Sequence, residues 1–408
     1  MTDETRWLRE YVELALDLDR TVSGEGGGSL VVYTGPEQWR QAVAERPPRS
    51  PAALVDQAEA LAATVPFDGQ RRRYLTATLR AIRAVAAHHR GDRVDPYRYA
   101  ELVLGIAAGW VPEGDLLAGH DLLDAALPAG PGSLGERLRR WQQAHLLPAD
   151  RLDQLPELVL AADAEARRRT EPIVALPAAE RIGCELVTGT HFLAAGQYHG
   201  DLRSTILVNR DVPANLADLL YVVCHEGHPG HIAEAVLKDR QLVGEQGRLE
   251  HQLRFLLSPE FVVSEGLGLV AEELVFPGDQ AQRWLTDQLA PKLDRGPITG
   301  DLARIHEAKN LLWGAWANAA TLASQGRAGA EIAGYLQRYA LLDDQETAAA
   351  LGSLRAPGMH LYTHAYYHGY RLVRGFIAPH TPGWQRRARQ LLTEPNLPAD
   401  LAPPQPAS

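Results

Sequence analysis

Apolar periodicity constrains the fold of this 408-residue chain more than any other feature of its sequence. Over most of the chain, apolar side chains recur every three to four residues, which places them on one face of an α-helix. One stretch rich in β-branched and aliphatic residues, STILVN, is the best strand candidate. The sequence therefore predicts a mainly α-helical fold with a small β-sheet. The helical stretches that show the spacing are 4–20, 51–65, 70–90, 97–109 and 136–145, and the strand candidate is 204–209.

Composition and charge limit the partners that can be expected. The chain is 45% hydrophobic and 23% charged, as in ordinary soluble proteins, and its net charge of −10 disfavours nucleic acid and anionic membranes. No apolar run reaches the roughly 18 residues of a membrane span, and the acidic start MTDETRWL is not typical of a signal peptide. Cys184 and Cys224 form no CxxC pair, so neither a disulfide framework nor a zinc knot is expected. We therefore expect a cytoplasmic protein, and the sequence does not indicate its oligomeric state.

The segment 220–235, LYVVCHEGHPGHIAEA, places three histidines and a glutamate within seven residues. It begins like the zinc-protease motif HExxH, in which four-residue spacing puts two histidines on one helix face. Here His225 and His231 are six residues apart, which on a straight helix means about 9 Å of rise and 240° of rotation. Pro229 cannot donate a hydrogen bond to the carbonyl of His225, and Gly230 permits unusual backbone angles. We therefore predict a break in the helix that brings His231 back toward His225.

His228 leaves the identity of the metal-binding pair open. It lies three residues from both neighbouring histidines, and two histidines at this spacing can share a metal. In the alternative without metal, the three histidines are ordinary surface or core residues. The density of histidines behind an apolar helix favours a metal site.

This segment resembles the domain-of-unknown-function 885 family, whose members carry H-E-x-x-P-G-H followed by E-G-x-x-L-x-x-E. The matching residues are 225–231 (HEGHPGH) and 265–272 (EGLGLVAE). Upstream, DLRSTILVNRDVP also matches, and so do Tyr366 and Gly369 within YTHAYYHGYRLV. The resemblance covers roughly residues 185–377 and implies a large helical metallopeptidase-like fold, related to the glutamate-ligand zinc peptidases.

The resemblance implies one zinc ion per chain, held by His225, His231 and Glu265, although such ligands also accept other divalent metals. Glu265 lies among apolar residues, where a partly buried carboxylate needs a partner. By this interpretation Glu226 is the general base, which takes a proton from water activated by the metal. Glu272 lies two helical turns beyond Glu265 and is a candidate for orienting a ligand histidine.

A donor to the oxyanion of the reaction is expected in the segment HLYTHAYYHGYR. Tyr366 is the first choice, because it matches the family element, and Tyr367 and His364 are further candidates. His360 and His368 belong to the same segment.

The strand 204–209 is a candidate for pairing with an extended substrate, as edge strands do in related peptidases. A purely structural strand is the alternative. His191, Tyr198 and His199, just upstream, are candidates for lining the same cleft.

Three regions are predicted along the chain. Residues 1–175 form a helical region that acts as a wall or lid, residues 176–380 form the metal-binding catalytic region, and residues 381–408 form a partly disordered tail. The leading function is zinc-dependent hydrolysis of an amide bond in a short peptide. A metal-dependent enzyme that acts on a non-peptide small molecule in a biosynthetic pathway is the first alternative. A non-catalytic helical protein with a vestigial metal site is the second.

Overall fold

Helices account for most of the chain in this computed structural model, which describes residues 2–24, 29–190, 192–355 and 361–402. The predicted mainly α fold is confirmed. The first helices are α1 (Asp3–Gly24), α2 (Glu37–Ala44), α3 (Pro51–Ala63), α4 (Gly69–Arg90), α5 (Pro96–Leu104), α6 (Glu113–Ala126), α7 (Leu134–Ala144) and α8 (Leu155–Thr170). They are followed by α9 (Leu219–Glu226), α10 (His231–Lys238), α11 (Pro259–Val275), α12 (Gln280–Trp284), α13 (Leu302–Ser324), α14 (Gly329–Tyr339), α15 (Asp344–Leu354), α16 (Thr363–Ile377), α17 (Trp384–Thr393) and α18 (Pro398–Leu401). The strands are β1 (Val31–Tyr33), β2 (Arg181–Val187), β3 (Ala194–Gly200), β4 (Arg203–Asn209) and β5 (Leu253–Phe255).

The five helical stretches of the sequence correspond to α1, α3, α4, α5 and α7. The helix predicted at 97–109 ends early, because Gly105 adopts the left-handed conformation with φ of 65°. The sequence does not predict α6, because VPEGD is typical of a break. In the structure Glu113 and Asp115 of that stretch occupy the first turn of α6, where carboxylates favour a helix.

A three-stranded sheet in the order β2-β4-β3 lies beside the histidine segment. β4 contains the predicted strand and pairs parallel with β2 and antiparallel with β3. The predicted strand is therefore central, so it cannot be the edge that pairs with substrate. The edge strand that reaches the histidine segment is β3, where the N–H of Gly196 donates to Glu226 at 2.8 Å.

α11 is the central helix of this half of the chain, since all its residues except Glu273 are buried. α16 packs against it at very close range, because Gly266 and Gly369 face each other. A Cβ atom at Gly266 would collide with the carbonyl oxygen of Gly369, and one at Gly369 would collide with that of Val262. This close contact brings the aromatic residues of α16 beside Glu265.

The region predicted as a tail contributes two helices, α17 and α18. Leu391, Leu392 and Leu401 of these helices are buried in the core, while residues 403–408 lie outside the described residues. Within the described ranges, no helix combines the length and apolar character needed to cross a membrane.

Candidate metal centre

The helix that carries the histidines is interrupted at the proline and glycine, as predicted. α9 ends at Glu226 and α10 begins at His231. Gly230 donates its N–H to the carbonyl oxygen of Cys224 at 2.9 Å, which folds the connecting residues back against α9. A Cβ atom at Gly230 would collide with the carbonyl oxygen of His225, so this close approach requires glycine. The break places His231 beside His225.

The imidazoles of His225 and His231 and the carboxylates of Glu226 and Glu265 meet at one point and form a cluster. The ring centroids of His225 and His231 are 4.6 Å apart, with the ring planes at 89°. The Nε2 atoms of His225 and His231 lie 3.3 and 3.6 Å from the carboxylate oxygens of Glu265 on α11. The carboxylate of Glu226 is 4.0 Å from Nε2 of His225. Ligand atoms of His225, Glu226 and His231 all lie within 4.8 Å of one another.

These distances fit a small divalent cation. Ligand atoms bound tetrahedrally to zinc at about 2.0–2.1 Å are separated by roughly 3.4 Å, close to the separations between Glu265 and the two histidines. Oε2 of Glu265 is buried and has no hydrogen-bond partner among the described residues, although Nε2 of His225 is 3.3 Å away. Oε2 of Glu226, in contrast, accepts the N–H of Gly196. Glu265 is therefore better suited as the third ligand, with Glu226 beside it.

The charges at this point favour a cation. Burial alone would raise the pKa of Glu265, but the imidazoles of His231 and His225 lower it, so the carboxylate is ionised. The same carboxylate raises the pKa of His231 despite burial. A positive charge between these three side chains is therefore stabilised, whether a proton or a metal carries it.

Hydrogen bonds on the opposite side fix the orientation of His231. Its Nδ1 lies 3.1 Å from the hydroxyl of Ser264, and that hydroxyl donates to Glu234 at 2.5 Å. Because the hydroxyl proton points to Glu234, the oxygen of Ser264 accepts the N–H at Nδ1 of His231. The lone pair on Nε2 of His231 then faces Glu265, where a metal could bind it. Arg254 donates to both Ser264 and Glu234 and holds this arrangement.

A buried ionic network supports these hydrogen bonds. Nζ of Lys238 donates to Glu234 at 2.7 Å and to Glu260 at 2.8 Å, and the hydroxyl of Tyr74 donates to Glu260 at 2.7 Å. Burial would raise the pKa of Glu260, but the charges of Lys238 and Arg254 lower it to about 2. Two ionised carboxylates are therefore balanced by two cations at neutral pH.

Replacing Lys238 with methionine is expected to destabilise the protein by about 3–5 kcal/mol, because two buried carboxylates then share one cation. Urea unfolding followed by circular dichroism measures this change. Lys292→Met is the matched control, since Lys292 is exposed, and its effect should stay within about 0.5 kcal/mol. A similar loss of stability in both variants would contradict the role assigned to Lys238.

Two tyrosines at the start of α16 face the cluster. The hydroxyl of Tyr362 donates to Oε1 of Glu265 at 2.5 Å. Tyr366 stacks on Trp313, with ring centroids 4.3 Å apart. Burial, followed by the charges of Glu265 and Glu226, raises the pKa of the Tyr366 hydroxyl well above its usual value. Tyr366 therefore stays protonated near both carboxylates and can donate a hydrogen bond there.

The structure does not bring Tyr367 and His364 to the cluster, contrary to the prediction. The hydroxyl of Tyr367 donates to Asp115 at 2.9 Å and accepts from Arg371 at 2.7 Å. His364 is fully buried, and its Nε2 lies 3.3 Å from a threonine hydroxyl of α13. At 100° per residue, Tyr367 and His364 point about 100° and 200° away from Tyr366 on the same helix. Both residues support the packing of α16 instead.

His228 is not at the cluster either, because carboxylates occupy both of its ring nitrogens. Nδ1 lies 3.1 Å from Asp163, and Nε2 lies 3.2 Å from Glu180. Burial lowers the pKa of His228, but the hydrogen bonds to Asp163 and Glu180 outweigh this effect and raise it to about 9. A cationic imidazole cannot ligate a metal, so the pair that remains is His225 and His231.

Glu272 does not orient a ligand histidine, contrary to the prediction. Its Oε2 lies 2.6 Å from Nδ1 of His306, and Nε2 of His306 lies 3.1 Å from Asp218. Burial lowers the pKa of His306, but the charge of Glu272 and the hydrogen bond to Asp218 raise it to about 9. The interior therefore contains a second cationic histidine between two carboxylates.

Sequence reasoning missed several residues that shape the cluster. Tyr362 lies four residues before Tyr366, and this helical spacing could have indicated a shared face. Gly268 leaves room for the imidazole of His225, because a Cβ atom there would lie 2.6 Å from Nδ1. No sequence signal indicates Ser264, since its role depends on contacts between separate helices.

The upstream candidates for lining the cleft have other partners. The hydroxyl of Tyr198 donates to Asp239 at 2.7 Å, and Nε2 of His199 lies 2.9 Å from the hydroxyl of Thr205. His191 and His360 lie outside the described residues.

The fold and the site together define a mainly helical protein with a histidine–glutamate cluster at a broken helix. No family model and no curated protein matches the chain. Among solved structures, it is similar to "the putative lipoprotein from Colwellia psychrerythraea", with a TM-score of 0.53 and 14% identity over 85% of this chain. This chain spans 65% of that protein.

A "putative lipoprotein of unknown function" from Shewanella oneidensis has 13% identity over 87% of this chain and 76% of its own, with a TM-score of 0.45. At these identities only the fold shared with the Colwellia protein is shown, and the resemblance to the domain-of-unknown-function 885 family stays a prediction.

Proposed function

We propose that the protein is a zinc-dependent hydrolase that cleaves an amide bond in a short peptide. The observation that carries this proposal is the meeting of His225, His231 and Glu265 at one point, with Glu226 beside them. Two imidazoles, one ligand carboxylate and one further carboxylate are the groups that hydrolysis at a catalytic zinc requires. The motif shared with the domain-of-unknown-function 885 family supports the same interpretation.

In this proposal His225, His231 and Glu265 hold the metal, and Glu226 is the general base. Zinc at such a site lowers the pKa of water to about 7 and polarises a carbonyl group. Gly196 holds Oε2 of Glu226, and Oε1 is directed toward His225. Glu226 takes a proton from the attacking water and passes it to the leaving amine.

Tyr366 donates a hydrogen bond to the oxygen that gains charge in the reaction. Its raised pKa keeps the hydroxyl protonated, and stacking on Trp313 fixes the ring. A preorganised donor of this kind stabilises an oxyanion without reorganisation during the reaction.

An extended peptide would bind along the outer edge of β3. The carbonyl of Leu193 accepts the N–H of Asn209 in the adjacent strand, so in the alternating pattern of a strand Gly196 directs its peptide groups away from β4. The N–H of Gly196 is already bonded to Glu226, so its carbonyl oxygen is the group left for a peptide. Pairing there supplies main-chain hydrogen bonds for many sequences and places the peptide beside Glu226. The exposed side chains of Phe192 and Leu193 precede β3 and favour apolar groups on the substrate.

Metal analysis and a mixed library of short peptides test this proposal. We expect close to one zinc per chain in purified protein and cleavage of part of the library, read by mass spectrometry. A zinc content far below one per chain, unchanged in His225→Ala, would support a helical protein with a vestigial site. Zinc-loaded protein that cleaves no peptide would favour a non-peptide small molecule as substrate.

A further inference from the structure

Asp163 of α8 contacts the residues 227–230, which connect α9 to α10. Oδ1 of Asp163 accepts the backbone N–H of His228 at 3.2 Å and lies 3.1 Å from Nδ1 of the same residue. Gly227 passes so close that a Cβ atom there would collide with Oδ1 of Asp163. One carboxylate oxygen therefore contacts two of the four residues, 227–230, that connect α9 to α10.

Asp163 completes the hydrogen bonding of this connection. Three of the four connecting residues have a backbone N–H, since Pro229 has none. The two glycines donate to carbonyl oxygens of α9 at 2.7 and 2.9 Å. The third N–H belongs to His228, and its acceptor is Asp163. Without Asp163 the buried N–H of His228 would lack an acceptor, and an unpaired buried donor lowers the stability of the folded protein.

The charge of Asp163 is balanced within a buried group. Nε2 of His228 lies 3.2 Å from Glu180, and Nε of Arg167 lies 3.3 Å from the same carboxylate. Asp163 and Glu180 thus face one imidazolium and one guanidinium. The side chains of Asp163, His228 and Glu180 are each at most 5% exposed, so the group is held rigidly.

We propose that Asp163 is a positioning residue for the metal centre: it fixes the connection 227–230 so that His225 and His231 face the same point. This proposal rests on the proposed metal-dependent function. His231 directly follows the connection, and His225 precedes it by two residues. A shift of the connection therefore changes the distances between the ligand atoms, on which metal affinity depends.

Zinc affinity of the full-length chain tests the proposal. Metal-free protein is titrated with zinc in competition with a chromophoric chelator. Asp163→Ala is expected to bind zinc at least about 10-fold more weakly, because contacts that orient ligands typically contribute 10–100-fold to metal affinity. Asp163→Asn keeps an oxygen that can accept the N–H of His228, so it should retain more affinity than Asp163→Ala. If Asp163→Ala does not fold, Asp163→Asn is compared with wild type: it loses the charge that faces Nδ1 of His228, so its zinc affinity should still fall, and wild-type affinity would overturn the proposal.

His306→Gln is the matched control, since it breaks the other buried group of a histidine and two carboxylates, on α13. It is expected to lower stability but to change zinc affinity by less than about two-fold. A control that weakens zinc binding as much as the Asp163 variants would overturn the proposal. Wild-type affinity in both Asp163 variants would also overturn it.

Hydrogen exchange of the metal-free proteins separates this proposal from the proposed function. Amides within 227–234 are expected to exchange faster in Asp163→Ala than in His306→Gln. Unchanged exchange in this segment would overturn the positioning role even in a protein that binds zinc. A wild-type protein that binds no zinc would overturn the metal site itself. Faster exchange in Asp163→Ala would then still show that Asp163 holds residues 227–230 in place.

Discussion

Glu226→Gln is expected to lower the rate of peptide cleavage by a factor of about 10²–10⁴ while zinc content stays close to one per chain. Glutamine keeps an oxygen that can accept the N–H of Gly196, so the side chain can stay in place. It cannot take a proton from water, so the proposed general base is lost. The three proposed ligands, His225, His231 and Glu265, are unchanged. Two measurements test this prediction. The first is the cleavage rate on the library peptide that wild type cleaves fastest, and the second is the zinc content of the same sample.

Tyr367→Phe is the control for this experiment, because Tyr367 bonds Asp115 and Arg371 and does not face the cluster. Its cleavage rate should stay within about two-fold of wild type. If Glu226→Gln cleaves as fast as wild type with full zinc content, Glu226 is not the base. If Glu226→Gln loses its zinc, Glu226 is a metal ligand, and Glu265 becomes the candidate for the general base.

The break in the motif helix could be predicted because its causes are local. Pro229 lacks an N–H and Gly230 tolerates close contact with the carbonyl of His225, so the residues themselves dictate an interruption. The return of His231 toward His225 was expected because a shared metal would require it, whereas Pro229 and Gly230 by themselves dictate only the break. In the same way, the periodicity of apolar residues predicted most of the helices.

Other features of the site depend on contacts between distant segments and could not be predicted. The residues alone do not distinguish Tyr366 from Tyr367, since the two are adjacent and chemically identical. The family resemblance favoured Tyr366, and the packing of α16 on α11 is what turns that residue toward Glu265. That packing rests on Gly266 and Gly369. Asp163 lies more than 60 residues before the motif, in a region predicted only as helical.

The sheet shows the same limit. The strand 204–209 was identifiable from its aliphatic residues, but its central position depends on pairing with both β2 and β3. β3 contains Ala194, Ala195 and Gly196, which carry little strand propensity. The strand that reaches Glu226 therefore had the weakest sequence signal.

The stability of the metal-free protein is expected to fall by about 3 kcal/mol for each of His228 and His306 as the pH rises from about 6.5 to above 9. Each side chain is cationic between two carboxylates, and its pKa is raised from 6.5 to about 9 in the folded protein. The folded state therefore binds more protons than the unfolded state within this range. The stabilisation is fully present below pH 6.5 and is lost as the pH passes through about 9.

Lowering the pH below about 6.5 also reduces the stability of the folded protein, through His251. Burial lowers the pKa of His251 to about 4, because the ring is enclosed beside Tyr74. The unfolded state takes up a proton on His251 at a higher pH than the folded state does. The stability that His251 contributes is therefore fully present above about pH 6.5 and is lost as the pH falls through about 4. The three histidines together place the highest stability of the metal-free protein near pH 6.5.

Urea unfolding in the presence of a chelator, at intervals between about pH 6.5 and 9.5, measures this dependence. Each cationic histidine contributes a slope of up to about 1.4 kcal/mol per pH unit. His306→Gln removes one of these two groups, so it should be less stable at pH 6.5 and should show a smaller slope than wild type. The remaining slope comes from His228 and from His231, whose pKa is also raised. Wild-type stability that stays constant or rises over this range would mean that neither histidine is cationic in the folded protein.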